Sequence, residues 1–403
     1  MRQREFFLLW SAGLLSSLAS WSFGIAAAVH VFQATGSAAA TAGLVVATTA
    51  PTVAIAGLGG VVADRVNRVR LLQAVSALRA MVVAVPIVTG DHPWVLWAVV
   101  AVQSTALQFF TPAEQAMVAD VVPAGHLAEA TGANSAALNV TRLTGPALGG
   151  LLVASLGFRV TTGVVTGALV AAAGLLGGLR AAAVPAAVGS ARGPGTAVRD
   201  WSRSWRDGWV SAFRGRDRRA VVAFQLSDAV KEGALSSLFP VLMLGVIGAG
   251  PTFTGLVNSS FALTALVAGP TVGVITRRLG YPLPVITGAV TAAALLLVLA
   301  IWPSRATALA VFALSGFPFT VSWVAAAALL LIRTPPDARG RVVATTNTLY
   351  SAVTLLSALA AGAAVPAISV PTVLTIAAIT QVGVLAALVL LWARPSAAAP
   401  TGD

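Results

Sequence analysis

The polar residues of the otherwise mostly apolar stretch 219–245 include Gln225, Asp228, Lys231, Glu232 and Ser236. Spacings of three, four and four put Gln225, Asp228, Glu232 and Ser236 on one face of a helix, with Lys231 three residues beyond Asp228. The stretch is long enough to cross a bilayer. An uncompensated charge there costs at least about 2.5–3.5 kcal/mol on insertion scales. Charges retained at that cost suggest mutual pairing beside a water-filled cavity. The chemistry such a group can do is reversible protonation, with Asp228 or Glu232 as the proton-carrying carboxylate and Lys231 as its modulator. The plainer alternative is a structural Asp228–Lys231 pair that only stabilises its own helix.

Other chemistries find few residues to support them. The chain has no cysteine, which removes disulfides, thiol catalysis and cysteine-bound metal. His30, His92 and His126 are isolated, so no histidine pair has metal-ligand spacing. Lys231 is the sole lysine and sits in Val230-Lys231-Glu232, so there is no Gly-Lys-Ser/Thr phosphate loop. No catalytic residues, metal or cofactor are expected, and the protein is not expected to be an enzyme.

The elements that must position these groups follow from composition. The 403 residues are 57% hydrophobic and only 9% charged, with a mean hydropathy of +0.88. Soluble domains carry about 25% charged residues, so an all-α integral membrane protein is expected. Taking about 20 apolar residues per crossing, the sequence predicts twelve spans, at 6–32, 38–62, 71–89, 94–117, 130–155, 159–180, 219–245, 252–275, 281–301, 305–332, 342–364 and 368–392. Runs such as 289–301 are apolar on every side, which excludes strands of alternating polarity.

The net charge of +12 does not imply nucleic acid, because the arginines cluster between spans. With the N-terminus in the cytoplasm, 20 of the 25 cations fall on the inner side, and only Arg159 and Arg305 fall on the outer side. The positive-inside rule therefore places both termini in the cytoplasm. Arginine in place of lysine, together with abundant alanine, suggests a high-GC bacterium and hence its cytoplasmic (inner) membrane.

The one long polar stretch, 181–218, divides the chain into an N-terminal six-helix half (1–180) and a C-terminal six-helix half (219–403). Within the linker Trp201, Trp205, Trp209 and Phe213 recur every four residues among arginines. That pattern predicts an amphipathic helix lying in the interface or packed on the bundle. A repeat supports the division. Residues 123–134 (PAGHLAEATGAN) parallel 336–347 (PDARGRVVATTN), as expected of two parallel halves.

Two further motifs carry information. Between spans 2 and 3 stands Gly60-Val-Val-Ala-Asp64-Arg65-Val-Asn67-Arg68-Val-Arg70, an acid and several bases crowded into a tight loop at the membrane face. Span 5 holds Arg142-Leu-Thr-Gly145-Pro146-Ala-Leu-Gly149-Gly150. There proline removes a backbone hydrogen bond and the glycines allow close helix approach. Arg142, expensive in lipid, should face the bundle interior.

The first string resembles motif A of the major facilitator superfamily at Gly60, Asp64, Arg65 and Arg68, with Asn67 replacing the second glycine. The second resembles motif C, associated with antiporters, at Gly145, Pro146, Gly149 and Gly150. The whole chain resembles the branch containing enterobactin-exporter-like and macrolide-efflux-like drug:proton antiporters. The resemblance implies a monomer in the lipid bilayer that exports an amphipathic drug, natural product or siderophore. Export would proceed by alternating access, with protons competing with substrate at Asp228 or Glu232.

Motif A would form a cytoplasmic latch onto the start of span 11, near 339–342. Spans 1, 4, 7 and 10 would line the cavity, which makes His30, Gln103, Gln108, Phe317 and Trp323 candidate lining residues. Phe312, Phe317, Phe319 and Trp323 could clamp an apolar ligand around Gly316 and Pro318. Glu114 and Asp120 would pair with Arg65 or Arg68, and Arg79 would be structural. Two other functions remain: a facilitator or proton symporter that imports a small solute, and a non-transporting sensor or scaffold.

Overall fold

The structure is a computed structural model that describes residues 2–55, 62, 66–89, 92–179 and 208–393. Of the motif A residues, Gly60, Asp64 and Arg65 lie outside the described residues, as does most of the linker, including Trp201 and Trp205.

Among the described residues the chain forms twelve main helices. They are α1 (Arg2–Thr35), α2 (Ala38–Ala54), α3 (Arg68–Thr89) and α4 (Pro93–Val121), followed by α5 and α6, the two limbs of Leu127–Gly177 on either side of Gly157. The remainder are α7 (Arg216–Pro240), α8 (Pro251–Leu279), α9 (Pro282–Ile301), α10 (Arg305–Ile332), α11 (Arg339–Ala364) and α12 (Val370–Ala393). Ten continuous helices are long and apolar enough to cross a membrane. One of these contains both α5 and α6, while α2 is an apolar helix of 17 residues.

Local sequence sets the boundaries. Ser37 caps α2 by accepting from the Ala40 amide at 3.2 Å, and Ser304 caps α10 by accepting from the Thr307 amide at 3.1 Å. Proline opens α4, α8 and α9, where its missing N–H is not needed. Gly157, at φ 77° and ψ 169°, turns the chain between α5 and α6 in a conformation that side chains disfavour. Beyond Pro240, α7 continues through a π-helical turn, Val241–Val246. The paralleled sequence segments also share geometry, since short 3₁₀ turns (Ala124–His126 and Pro336–Ala338) lead directly into α5 and α11.

α1–α6 pack on one another around apolar centres that include Phe23, Leu96 and Leu169, and Leu9, Leu72 and Leu176. α7–α12 pack around Leu238, Met243 and Leu374, and around Phe224, Leu329 and Leu385. The two groups meet mainly where α5 lies on α8 and α2 on α11. Small residues make these seams. A Cβ on Gly150 would collide with the backbone of Pro251 and Gly255, and one on Gly255 with that of Pro146. Gly362 presses on Ala42 in the same way. The hydrogen bonds described across the seam are Ala147 N–H to Ser259 Oγ (3.1 Å) and Thr41 Oγ to Ser237 O (3.0 Å). Both lie in the arginine-poor half of the bundle's length.

The outer surface is apolar, with Val88, Leu356 and Leu390 all well exposed. Trp94 and Trp302, also exposed, ring the arginine-poor end where an interfacial belt belongs.

On the C-terminal side of the linker, α7 starts at Arg216. Residues 208–212 are helical, with Trp209 and Phe213 stacked at 5.5 Å. Gly208 is pressed against Arg341 and Thr345 of α11, so this part of the aromatic stripe packs on the bundle.

Candidate functional site

The charged residues of α7 divide between two environments. Asp228 (1% exposed) turns into the C-terminal half. One carboxylate oxygen accepts from Lys231 Nζ at 2.6 Å and from Gln381 Nε2 at 3.1 Å, and the other accepts from the Tyr350 hydroxyl at 3.2 Å. Helices α7, α11 and α12 thus converge on one buried carboxylate. Lys231 supplies the counter-charge to this carboxylate.

Glu232, one helical turn on, faces a cavity of about 500 Å³ between the two halves. Among the described residues it has no hydrogen-bond or ion-pair partner. Lys231 bridges the two settings. Its ammonium is bound to Asp228, lies 5.4 Å from the centre of the Phe319 ring, and lines the same cavity. The 3.6-residue period explains the division, because four residues along α7 turn the side chain by about 40°, enough to pass from packed interior to open cavity.

The opposite wall belongs to α5 and α1. Arg142 lines the cavity with its guanidinium 5.3 Å from the centre of the Trp21 ring, a cation–π arrangement. Asn139, one turn before it, and Asn258 on α8 add neutral polar groups. The remaining wall is largely aliphatic and carries four phenylalanines. Phe239 and Phe312 pack at 5.1 Å and Phe261 and Phe319 at 5.5 Å, all four lining the cavity.

The glycines after Arg142 hold this wall in place. Gly145 and Gly149 leave no room for a Cβ against Trp21 and the backbone of Ser22 on α1, whose hydroxyl donates to Gly145 O at 3.0 Å. Gly150 faces α8 instead. The Gly145–Gly150 string is therefore a three-helix joint that sets the depth at which Arg142 enters the cavity.

Other residues singled out in the sequence lie elsewhere. Gln103 is buried and accepts from Arg79 Nε at 2.7 Å, while the other guanidinium nitrogens donate to Ser16 and Ser20. Gln108 donates to Thr52 at 3.0 Å. Neither glutamine lines the cavity, because each is consumed by contacts within the N-terminal half. Phe317 points outward and is 37% exposed. Trp323 stands behind the wall, stacked on Phe319 and edge-on to Tyr350. His30 stacks on Phe158 at 4.1 Å. Arg68 pairs with Asp120 at 2.5 Å, whereas Glu114 lies buried against Gly13 of α1.

Tyr350, Gln381 and Asn258 were not evident as site residues. Gln381 did leave a signal, as the single amide in an apolar run from 370 to 393.

Comparison with known proteins sets this geometry in a family. The sequence profile described as transmembrane secretion effector matches residues 1–399. The chain belongs to that family. It is a major facilitator transporter, multi-pass and membrane-embedded. It is similar to the uncharacterized MFS-type transporters YfiS and YkuC of Bacillus subtilis. The YfiS match is 27% identical over 38% of this chain and 37% of YfiS, and the YkuC match is 29% identical over 27% of this chain and 25% of YkuC. The match thus spans well under half of either relative.

The transporter's fold is that of a solved mutant form of nucleoside transporter NupG (TM-score 0.80, 12% identity, 96% of this chain and 100% of that one). It is also that of a POT family transporter in complex with 5-aminolevulinic acid (TM-score 0.78, 8% identity, 96% and 95%).

Proposed function

We propose that this transporter exports an amphipathic small molecule, of the drug, natural-product or siderophore kind, in exchange for protons. It would have twelve spans in two six-helix halves, with both termini in the cytoplasm of a bacterium and the molecule acting as a monomer. The observation that carries the reading is Glu232, a carboxylate that faces the inter-half cavity without a protein partner. In such a place a carboxylate needs either a proton or a cationic group from the substrate. Occupation by one excludes the other, which is the coupling rule of an antiporter.

Asp228 is not the carrier in this reading. Its role is to hold Lys231 and so fix the field at Glu232. Lys231 tunes the exchange by neighbouring both carboxylates.

Alternating access is supported by where the halves touch. The seam contacts at Gly150–Gly255 and Gly362–Ala42, and the Thr41–Ser237 hydrogen bond, all belong to the arginine-poor end. In this reading the cavity would be closed on the outer side and accessible from the cytoplasm. Opening outward would require the cytoplasmic ends to close, and the motif A residues Gly60, Asp64, Arg65 and Arg68 would latch that state onto the start of α11. The Arg68–Asp120 pair anchors the N-terminal half of the latch.

The test is the direction of proton flow. In proteoliposomes loaded with a transported dye, macrolide or siderophore, outward substrate flow should acidify the lumen. Alkalinisation would establish a symporter, and flux without a pH change a facilitator. Either result would overturn the antiport reading.

A further inference from the structure

Glu232 does not face the cavity alone. Arg142, on the other half of the molecule, enters the same cavity, and neither side chain has an ion-pair partner among the described residues. The other charges near them are accounted for, since Lys231 is neutralised by Asp228 at 2.6 Å. What is left is one negative and one positive group on facing walls, α7 against α5, separated by more than an ion-pair distance and flanked by Phe239, Phe312 and Phe319.

We infer that the occupant of this cavity is amphoteric: it carries a cationic amine for Glu232 and an anionic carboxylate, or a group of similar charge, for Arg142, joined to an apolar or aromatic body. This rests on the cavity being the transport site, as proposed above. An ammonium group replaces the proton on Glu232, while the carboxylate takes the guanidinium fork of Arg142 in two parallel hydrogen bonds. Such a molecule ties the N-terminal half to the C-terminal half, whereas a purely cationic ligand leaves Arg142 unsatisfied and a purely anionic one leaves Glu232 to be protonated. Both charged walls find a counter-charge only in a ligand of both signs. The apolar wall takes the body of the molecule and gives little discrimination among bodies, so charge pattern is the selective feature.

The experiment uses the purified full-length protein in lipid nanodiscs and three matched probes: Nε-dansyl-lysine (amine and carboxylate), its methyl ester (amine only) and its Nα-acetyl derivative (carboxylate only). Dansyl fluorescence reports binding. The wild type should bind the amphoteric probe about 10- to 100-fold more tightly than either derivative, the worth of one charge-assisted hydrogen bond. Arg142→Gln should remove the preference over the ester, and Glu232→Gln the preference over the acetyl compound. Arg142→Lys, which keeps the charge, should retain most of it and guards against a mere folding defect.

Equal binding of the three probes, no binding of any, or a preference that survives both substitutions overturns the inference. Its failure is distinct from failure of the exporter reading. Charge-selective binding with no proton-coupled flux would overturn the latter alone, and proton-coupled flux of a singly charged dye with no charge selectivity would overturn the former alone.

Discussion

Replacing Asp228 with asparagine should destabilise the protein severely, for a reason that has nothing to do with proton transport. The carboxylate accepts three hydrogen bonds, from Lys231, Gln381 and Tyr350, at 2.6, 3.1 and 3.2 Å. Asparagine keeps one acceptor oxygen but turns a donating NH₂ toward groups that are themselves donors, and it leaves the Lys231 ammonium without a counter-charge at only 5% exposure. Breaking a buried ion pair by removing one partner costs about 3–5 kcal/mol. Removing both charges costs much less, because no ion is then left stranded.

The prediction is therefore a pair of thermal melts of purified protein in detergent. Asp228→Asn should show a clear fall in Tm and in membrane yield. The double variant Asp228→Asn with Lys231→Gln should recover most of it. Glu232→Gln, which breaks no bond to protein, should melt like the wild type. A single Asp228→Asn variant with an unchanged Tm, or a double variant no more stable than the single, would refute the assignment of Asp228 and Lys231 as a structural pair.

Two further outcomes follow from packing. Gly149→Ala should be destabilising by about 1–3 kcal/mol through overpacking against the Ser22 backbone, whereas Gly163→Ala, which meets open space, should be silent in the same melt. Arg79→Leu should be tolerated better than Arg79→Lys. Leucine removes the buried charge outright, while lysine keeps it but cannot reproduce the three-way contact to Gln103, Ser16 and Ser20. Comparative Tm values of the two variants check the order.

The transmembrane character of the chain was legible because hydropathy and charge act locally. Helix ends at Ser37, Pro93 and Ser304 follow from capping chemistry within a few residues. The turn at Gly157 was marked by a break between spans 5 and 6. Periodicity could place Asp228 and Glu232 on a common face but could not separate them. What separates them is the position of α11 and α12, which supply Tyr350 and Gln381 to one and nothing to the other. Gln103, Gln108 and Phe317 went to packing and surface sites for the same reason. A helix face is assigned by which neighbour covers it, and that depends on tertiary crossing angles that no local spacing encodes. Arg142 was the reverse case, since the cost of its charge in lipid sufficed to turn it inward.

Proton movement in proteoliposomes during substrate efflux, compared between wild type and Glu232→Gln, tests the central claim most directly. The wild-type lumen should acidify as a preloaded amphipathic substrate leaves, and Glu232→Gln should lose that acidification while remaining folded and inserted. Undiminished acidification in Glu232→Gln would contradict the claim that this cavity-facing carboxylate couples the two flows.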